Sequence, residues 1–436
     1  MKTDNMGEIE MDFIQTYGTI IKKQLRAHPD RAFRLFLTGL SLERFRSKHL
    51  ANKRLPRAYR YLNTYAVDRI LYAFRHPEKS VFCNLFSPVE ILQSLGLEAL
   101  SIECISSFIS GFKIEDTFLE YAQEEGLSGT LCSYHKNLIG AMDSGMLPVP
   151  GYALTTSTIC DSNLQTFRHL SHKHHIPMSL LDVPMDDTPD AVVYLTEQLK
   201  ECIHALEDCF HVHYHEEILQ TVLERENRSR QHYESFLKKI KTKYYPSTLT
   251  LQMYMLFATH LNIGETGILH FFEMMDREID SAPDFNGIQL LWVHLLPYYQ
   301  ETLQSYFNLG KEFQIQACEM NFDYRQPLDI THPLEALARK MIQNVYTRSY
   351  NRKVNLVADL AEELDADGVV HFCHWGCKQS SGGVMLLKER LSELEKPLLI
   401  LDGDAMDRQN SHDGQIKTRW EAFAELLRQT KGKETL

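Results

Sequence analysis

Between residues 78 and 183 short runs rich in β-branched and aromatic residues alternate with segments of helical periodicity, and this alternation constrains the fold more than any other feature. Residues 81–85, 97–102, 152–159 and 178–183 read as strands. Between them, Ser87 and Pro88 open a helix with Glu90 in its early turn, residues 117–124 and 163–173 read as helices, and a turn at 129–133 leads into another near Tyr134. Strands separated by crossover helices at this spacing belong to a parallel sheet of Rossmann-like type. The pattern returns near the carboxyl end, with strands at 289–296, 313–322, 368–372 and 397–402 and helices at 334–345, 351–364, 384–394 and 417–427. Residues 190–275 read as helical, as do residues 1–75. The expected architecture is therefore α/β. A helical extension (1–77) precedes a first Rossmann-like domain (78–190), a helical middle region (191–280) and a second Rossmann-like domain (281–436).

The 436 residues suit two or three domains. With 46 basic and 58 acidic side chains the formal net charge is −12, which argues against nucleic acid as the main partner. The basic stretch 44–60 reads as a solvated helix face. No run of 18 apolar residues exists, and the best candidate, 290–299, is broken by His294 and Pro297. The acidic, polar amino terminus does not read as a secretory signal. The expectation is a cytoplasmic protein without a membrane segment, its nine cysteines kept reduced. Scattered thiols in that setting are either buried small hydrophobes or ligands.

The densest chemistry lies in GVVHFCHWGCKQSSGG, residues 368–383, where a strand runs out into His371, Cys373, His374 and Cys377. Cys160, in STICDSN, also follows a strand, and Cys132, in GTLCSYHK, directly precedes a helix whose dipole favours a thiolate. In open parallel sheets ligands bind beyond the carboxyl ends of the strands, so these three distant segments can share one crevice. Zinc would draw on Cys373, His374 and Cys377, although no second CxxC pair accompanies them. An iron–sulfur cluster held by three thiolates would leave one iron open. Spacing alone also admits buried structural cysteines. The histidines at 172–175 and 211–215 sit at expected helix ends and read as surface residues, not as a metal site.

Several ordered segments add to this reading. FSPVEILQSLG (86–96), LCSYHKNLIG (131–140), TTSTICDSN (155–163) and HWGCKQ (374–379) are followed by the acidic strand end at 401–404 and by TRWEAF (418–423). Together they resemble the 2-hydroxyacyl-CoA dehydratase D-component family, which includes benzoyl-CoA reductase subunits; Cys318-Glu319 and the stretch 226–228 add to the likeness. The resemblance spans about residues 78–430. It implies two Rossmann-like domains with a 4Fe-4S cluster between them, on Cys132, Cys160 and Cys377. Cys377 is preferred to Cys373 because it stands in the matching Trp-Gly-Cys-Lys-Gln stretch. Cys83, Cys104, Cys202 and Cys209 are expected in the core, and Cys318 beside the site.

The implied reaction removes water from an (R)-2-hydroxyacyl-CoA. One electron on the thioester carbonyl makes a ketyl radical anion that expels the hydroxyl and acidifies the β-hydrogen. A separate ATP-hydrolysing activator supplies the electron, and the chain itself shows no GxxxxGK[ST] phosphate loop. Glu90 and His374 are the candidate acid–base residues, with Lys378, Gln379 and residues 380–383 as outside candidates for substrate or phosphate contact. The implied partners are a paralogous subunit, the activator and an acyl-CoA. A flavin is compatible with the resemblance, although no flavin motif is readable. A reductase subunit or an electron-relay subunit are the alternative roles.

Overall fold

The computed structural model describes residues 4–434. The chain begins with three helices, α1 (Asp4–Leu25), α2 (Pro29–His49) and α3 (Arg57–Arg75). Phe36, Phe74 and Phe112 pack edge to face where α2 and α3 meet the rest of the chain. The first α/β unit follows as β1 (Ser80–Cys83), α4 (Val89–Ser94), β2 (Glu98–Ser101), α5 (Ile102–Gly111), α6 (Glu115–Glu124), α7 (Ser133–Asp143), β3 (Tyr152–Thr156), α8 (Asp161–His174) and β4 (Met178–Leu181). A helical stretch, α9 (Pro189–Phe210), α10 (Glu216–Ile240), α11 (Leu249–His260) and α12 (Thr266–Glu278), separates it from the second unit. That unit comprises β5 (Ile288–Val293), α13 (Glu301–Phe307), β6 (Phe313–Cys318), α14 (Pro333–Gln343), α15 (Asn351–Glu363), β7 (Gly368–His374), α16 (Lys378–Ser381), α17 (Val384–Glu393), β8 (Leu398–Gly403) and α18 (Asp413–Glu434).

Each unit holds a four-stranded parallel sheet, in the orders β2-β1-β3-β4 and β6-β5-β7-β8. The orders are the same when each unit's strands are numbered from its own start, so both sheets reverse direction at one central pair, β1/β3 and β5/β7. Such a switch point opens a crevice at the strands' carboxyl ends. β1, β3, β5, β6 and β7 are buried along their whole length, as parallel strands covered on both faces by helices must be.

The expected α/β class holds, and the differences lie at element ends. The strand expected over 313–322 stops at Cys318, and residues 319–322 turn into a short 3-10 segment. The Glu319 carboxylate explains the turn: it accepts the His294 backbone N–H (2.6 Å) and the Tyr346 hydroxyl (2.8 Å), which draws the chain off the sheet. The strand expected over 152–159 ends at Thr156, ahead of Ile159 at φ +78°. α5 is missing from the sequence reading although Ser106, Ser107 and Ser110 alternate with Ile105, Phe108 and Ile109 at helical spacing; the serine face is buried as well. Ser101 starts it by accepting the Cys104 backbone N–H.

Candidate functional site

Cys132, Cys160 and Cys377 each occupy the N-cap position of a helix, of α7, α8 and α16 respectively. The first two helices belong to the first unit and the third follows β7 of the second. The loops that carry them meet. Gly376 lies at φ +77°, and a Cβ there would stand 2.8 Å from the Cys132 backbone nitrogen and 2.9 Å from the Thr130 carbonyl oxygen. Glycine at 376 is what allows the Cys377 loop to close on the Cys132 loop. Two of the thiols feel their neighbours: burial, first, and then Cys377, Asp404 and Cys160 push the Cys132 thiol up. Burial also pushes up Cys160, with Cys377 adding to it.

Two imidazoles stand against this triad. The Ala405 backbone N–H donates to Nδ1 of His374 (3.1 Å), so the neutral ring carries its proton on Nε2, which lies 3.2 Å from Cys132 Sγ. His374 is fully buried, and burial lowers its pKa, holding the ring neutral. The result is an N–H directed at the Cys132 sulfur. His135, one turn into α7, places Nε2 3.7 Å from Cys160 Sγ and is lowered to about 4 by burial. Asp404, in the loop after β8, accepts from the Ser133 hydroxyl (2.7 Å) and from the Met406 and Asp407 backbone N–H groups, fastening the start of α7 to the second unit.

Cys373 stands elsewhere. Successive residues of a strand face opposite sides of the sheet, and because His374 reaches Cys132, Cys373 points away. The zinc set of Cys373, His374 and Cys377 therefore does not close around one ion. Among the described residues no group of three His, Cys, Asp or Glu side chains is arranged to hold a single metal ion. Three separate thiols at helix N-termini, without a fourth protein donor, suit a polynuclear cluster, whose irons take one ligand each. The helix dipoles offset part of the cost of burying thiolate charge.

Two residues before Cys160, at Thr158, a narrow cleft opens between the two units and α10–α11. Residues after β1, β3 and β6 line it, among them Glu90, Thr158 and Asp323. Glu90 does not touch the thiols. It is buried with Lys340 and Glu226, and Lys340 Nζ donates to Glu90 and to Glu226 Oε1 (2.8 Å). Glu226 Oε1 also accepts from Arg230 Nε (2.9 Å). Burial raises Glu90 to about 7 against the pull of Lys340, and its hydrogen bond to Glu226 adds to the rise. Glu226 is lowered to about 2: Lys340 and Arg230 outweigh the burial that opposes its charge. The same surroundings thus push the two carboxyls apart, Glu90 toward the neutral acid and Glu226 toward the carboxylate.

The remaining sequence candidates fall into place around these features. Cys83, Cys104 and Cys202 are buried and Cys209 half-buried, and all nine cysteines are free. Cys318 is buried at the end of β6, where Sγ donates to the His294 carbonyl (3.3 Å). Ser380 spends its hydroxyl on backbone groups of its own turn, among them the His374 N–H, so the 380–383 segment does not present a phosphate cradle. Lys378 is exposed and Gln379 half-buried. The histidines at 172–175 include His174, which with His169 and Lys173 surrounds Asp143. Sequence reasoning missed His135, Lys340, Arg230, His260 and Asp404. Only His135 left a signal, three residues after Cys132 on one helix face.

Fold and site together define a two-unit α/β protein that presents three convergent thiols and a carboxyl-lined cleft at the carboxyl ends of parallel sheets. Residues 84–427 match the 2-hydroxyglutaryl-CoA dehydratase D-component family, and the chain belongs to it. It is 22% identical over 403 residues to the (R)-phenyllactyl-CoA dehydratase alpha subunit of Clostridium sporogenes, covering 88% of this chain and 98% of that protein. It is 22% identical to the lactoyl-CoA dehydratase subunit alpha of Anaerotignum propionicum, over 78% of this chain and 89% of that one. To the (R)-2-hydroxyglutaryl-CoA dehydratase subunit alpha of Acidaminococcus fermentans it is 21% identical, over 64% of this chain and 61% of that one. Among the described residues no helix is long and apolar enough to cross a membrane.

Proposed function

We propose that the chain is the iron–sulfur subunit of a 2-hydroxyacyl-CoA dehydratase, converting an (R)-2-hydroxyacyl-CoA to the enoyl-CoA and water. The observation that carries the reading is the meeting of Cys132, Cys160 and Cys377, each at a helix N-terminus, in one crevice. When bound there, a 4Fe-4S cluster with three protein ligands supplies an open iron and a path for single electrons. His374 directs its Nε2–H at the Cys132 sulfur, which favours the thiolate form of that ligand. The elimination needs one proton delivered to the departing hydroxyl and one taken from the β-carbon. Glu90, whose pKa burial raises toward neutrality, is suited to hold or pass it. The cleft at Thr158 gives the acyl group a place to lie, which favours a substrate-binding subunit over a bare electron relay. The electron comes from a separate ATP-hydrolysing activator, and a paralogous subunit completes the enzyme.

The test is anaerobic purification followed by iron and acid-labile sulfide analysis, with about four of each expected per chain. Cys132→Ser, Cys160→Ser or Cys377→Ser should each lose the brown absorbance, and Cys202→Ser should keep it. Zinc without sulfide sinks the proposal. Retention of the cluster in Cys377→Ser together with its loss in Cys373→Ser moves the third ligand to Cys373.

A further inference from the structure

The cleft at Thr158 has a charge pattern that selects among acyl groups. Its two cations are already matched within the wall: Lys340 by Glu226 and Glu90, and Arg230 by Glu226 and by the Tyr324 carbonyl oxygen (2.9 Å), with Asp323 nearby. The ring of His260 adds an acceptor. Its Nδ1 lies 2.9 Å from the Leu256 carbonyl oxygen, which can only accept, so the proton sits on Nδ1 and Nε2 keeps a lone pair. That Nε2 is buried, without a hydrogen-bond partner and 3.6 Å from Asp323 Oδ1. The Thr158 hydroxyl, 5% exposed, is likewise unpartnered. Leu85, Phe86, Leu337 and Met341 form the apolar part of the wall, and the polar groups of Ser87, Thr259 and Asn344 are engaged by Asn84, the Met255 carbonyl and Asp323. Arg348, a guanidinium whose Nε and Nη2 lack partners, does not line the cleft.

A carboxylate carried into this space loses its hydration, finds no free cation among the described lining residues, and meets a carboxylate and a lone pair instead. A hydroxyl finds an acceptor in His260 Nε2 and a donor or acceptor in Thr158. We propose that the cleft takes the acyl end of a 2-hydroxyacyl thioester whose side chain is uncharged, with Thr158 and His260 meeting the polar end and the Phe86–Met341 wall meeting the side chain. Acyl groups ending in a carboxylate are excluded by Asp323 on the lining and by Glu226 behind it, which occupies Lys340 and Arg230. The inference rests on the dehydratase reading above and names the substrate class for it.

A matched pair of probes isolates the charge: the CoA thioester of 2-hydroxyglutarate and the same thioester with its distal carboxylate converted to the carboxamide. Binding of each to the full chain is measured by calorimetry at neutral pH, with a thioester bearing an aryl side chain as a third ligand. The carboxamide and aryl esters should bind at least tenfold more tightly than the carboxylate ester. Equal or tighter binding of the carboxylate ester overturns the proposal while leaving the dehydratase reading intact. Failure of all three to bind overturns the acyl-CoA reading and the proposal with it. In Glu226→Gln, where Lys340 and Arg230 lose their shared counterion, the ratio should move about tenfold toward the carboxylate ester. An unchanged ratio in folded variant removes Glu226 from the assignment.

Discussion

Gly376 shows how much of the site depends on one residue without a side chain. Its φ of +77° lies where L-residues are strained, and an added Cβ would press on Cys132 backbone atoms that have little freedom to yield. Gly376→Ala should cost roughly 1–3 kcal/mol and displace Cys377 from Cys132. A lowered melting temperature together with iron content well below that of the parent protein is the expected result. Full iron content in the variant would show that the loop has another way to close. Neighbouring residues act by direction rather than by space. His374 and Cys373 are adjacent on β7, yet only His374 reaches the triad, because alternate strand residues face opposite sides. That alternation could be read from the sequence, and it turns Cys373 away from Cys132 once the strand's orientation is known.

At the scale of elements, α7 and α8 form the frame of the first unit's two thiols. Cys132 and Cys160 cap their N-termini, and a single carboxylate ties together their far ends. Asp143, the last residue of α7, accepts from His169 Nε2 (2.8 Å), Lys173 Nζ (2.9 Å) and His174 Nε2 (2.8 Å), all on α8. The Asp143 side chain is 1% exposed, so its removal strands three groups at once. Asp143→Ala should destabilise the protein by about 2–3 kcal/mol, read as a lower midpoint in urea, and should weaken iron retention although it lies a helix length from the thiols. The strands and crossover helices that position this frame were legible because β-branched runs end in turn residues at regular intervals. α5 was overlooked, since it follows β2 without an intervening turn and its polar face consists of small buried serines. The cleft was illegible for another reason. Glu90 and Lys340 are 250 residues apart and Lys340 and Glu226 are 114 apart, so nothing local in the sequence announces their meeting. Cys132, Cys160 and Cys377 could be grouped only by likeness to a family, because their spacing follows from the joining of two sheets and not from any one motif.

Across the whole molecule, the loop after β8 holds the two units together. Arg408 forms an ion pair with Glu115 at the start of α6, donates to the Ser110 hydroxyl (3.0 Å) and lies over the Tyr299 ring (4.7 Å). Glu115 is buried, and burial raises its pKa against the pull of Arg408. Arg408→Met would leave that carboxyl without its partner. We expect a loss of about 2–3 kcal/mol, less than for a fully buried pair because the Arg408 side chain is 27% exposed. Thermal unfolding should report the loss, and an unchanged midpoint would show that the other contacts between the units, Ser133–Asp404 among them, suffice. The distribution of the thiols also bears on biosynthesis. Cys132 and Cys160 leave the ribosome more than 200 residues before Cys377 does, and Cys377 finds them only after β7 has joined a sheet that contains β5. On the reading proposed above, cofactor loading is then a late event in the life of the polypeptide, a checkpoint that only a chain with both units folded can pass.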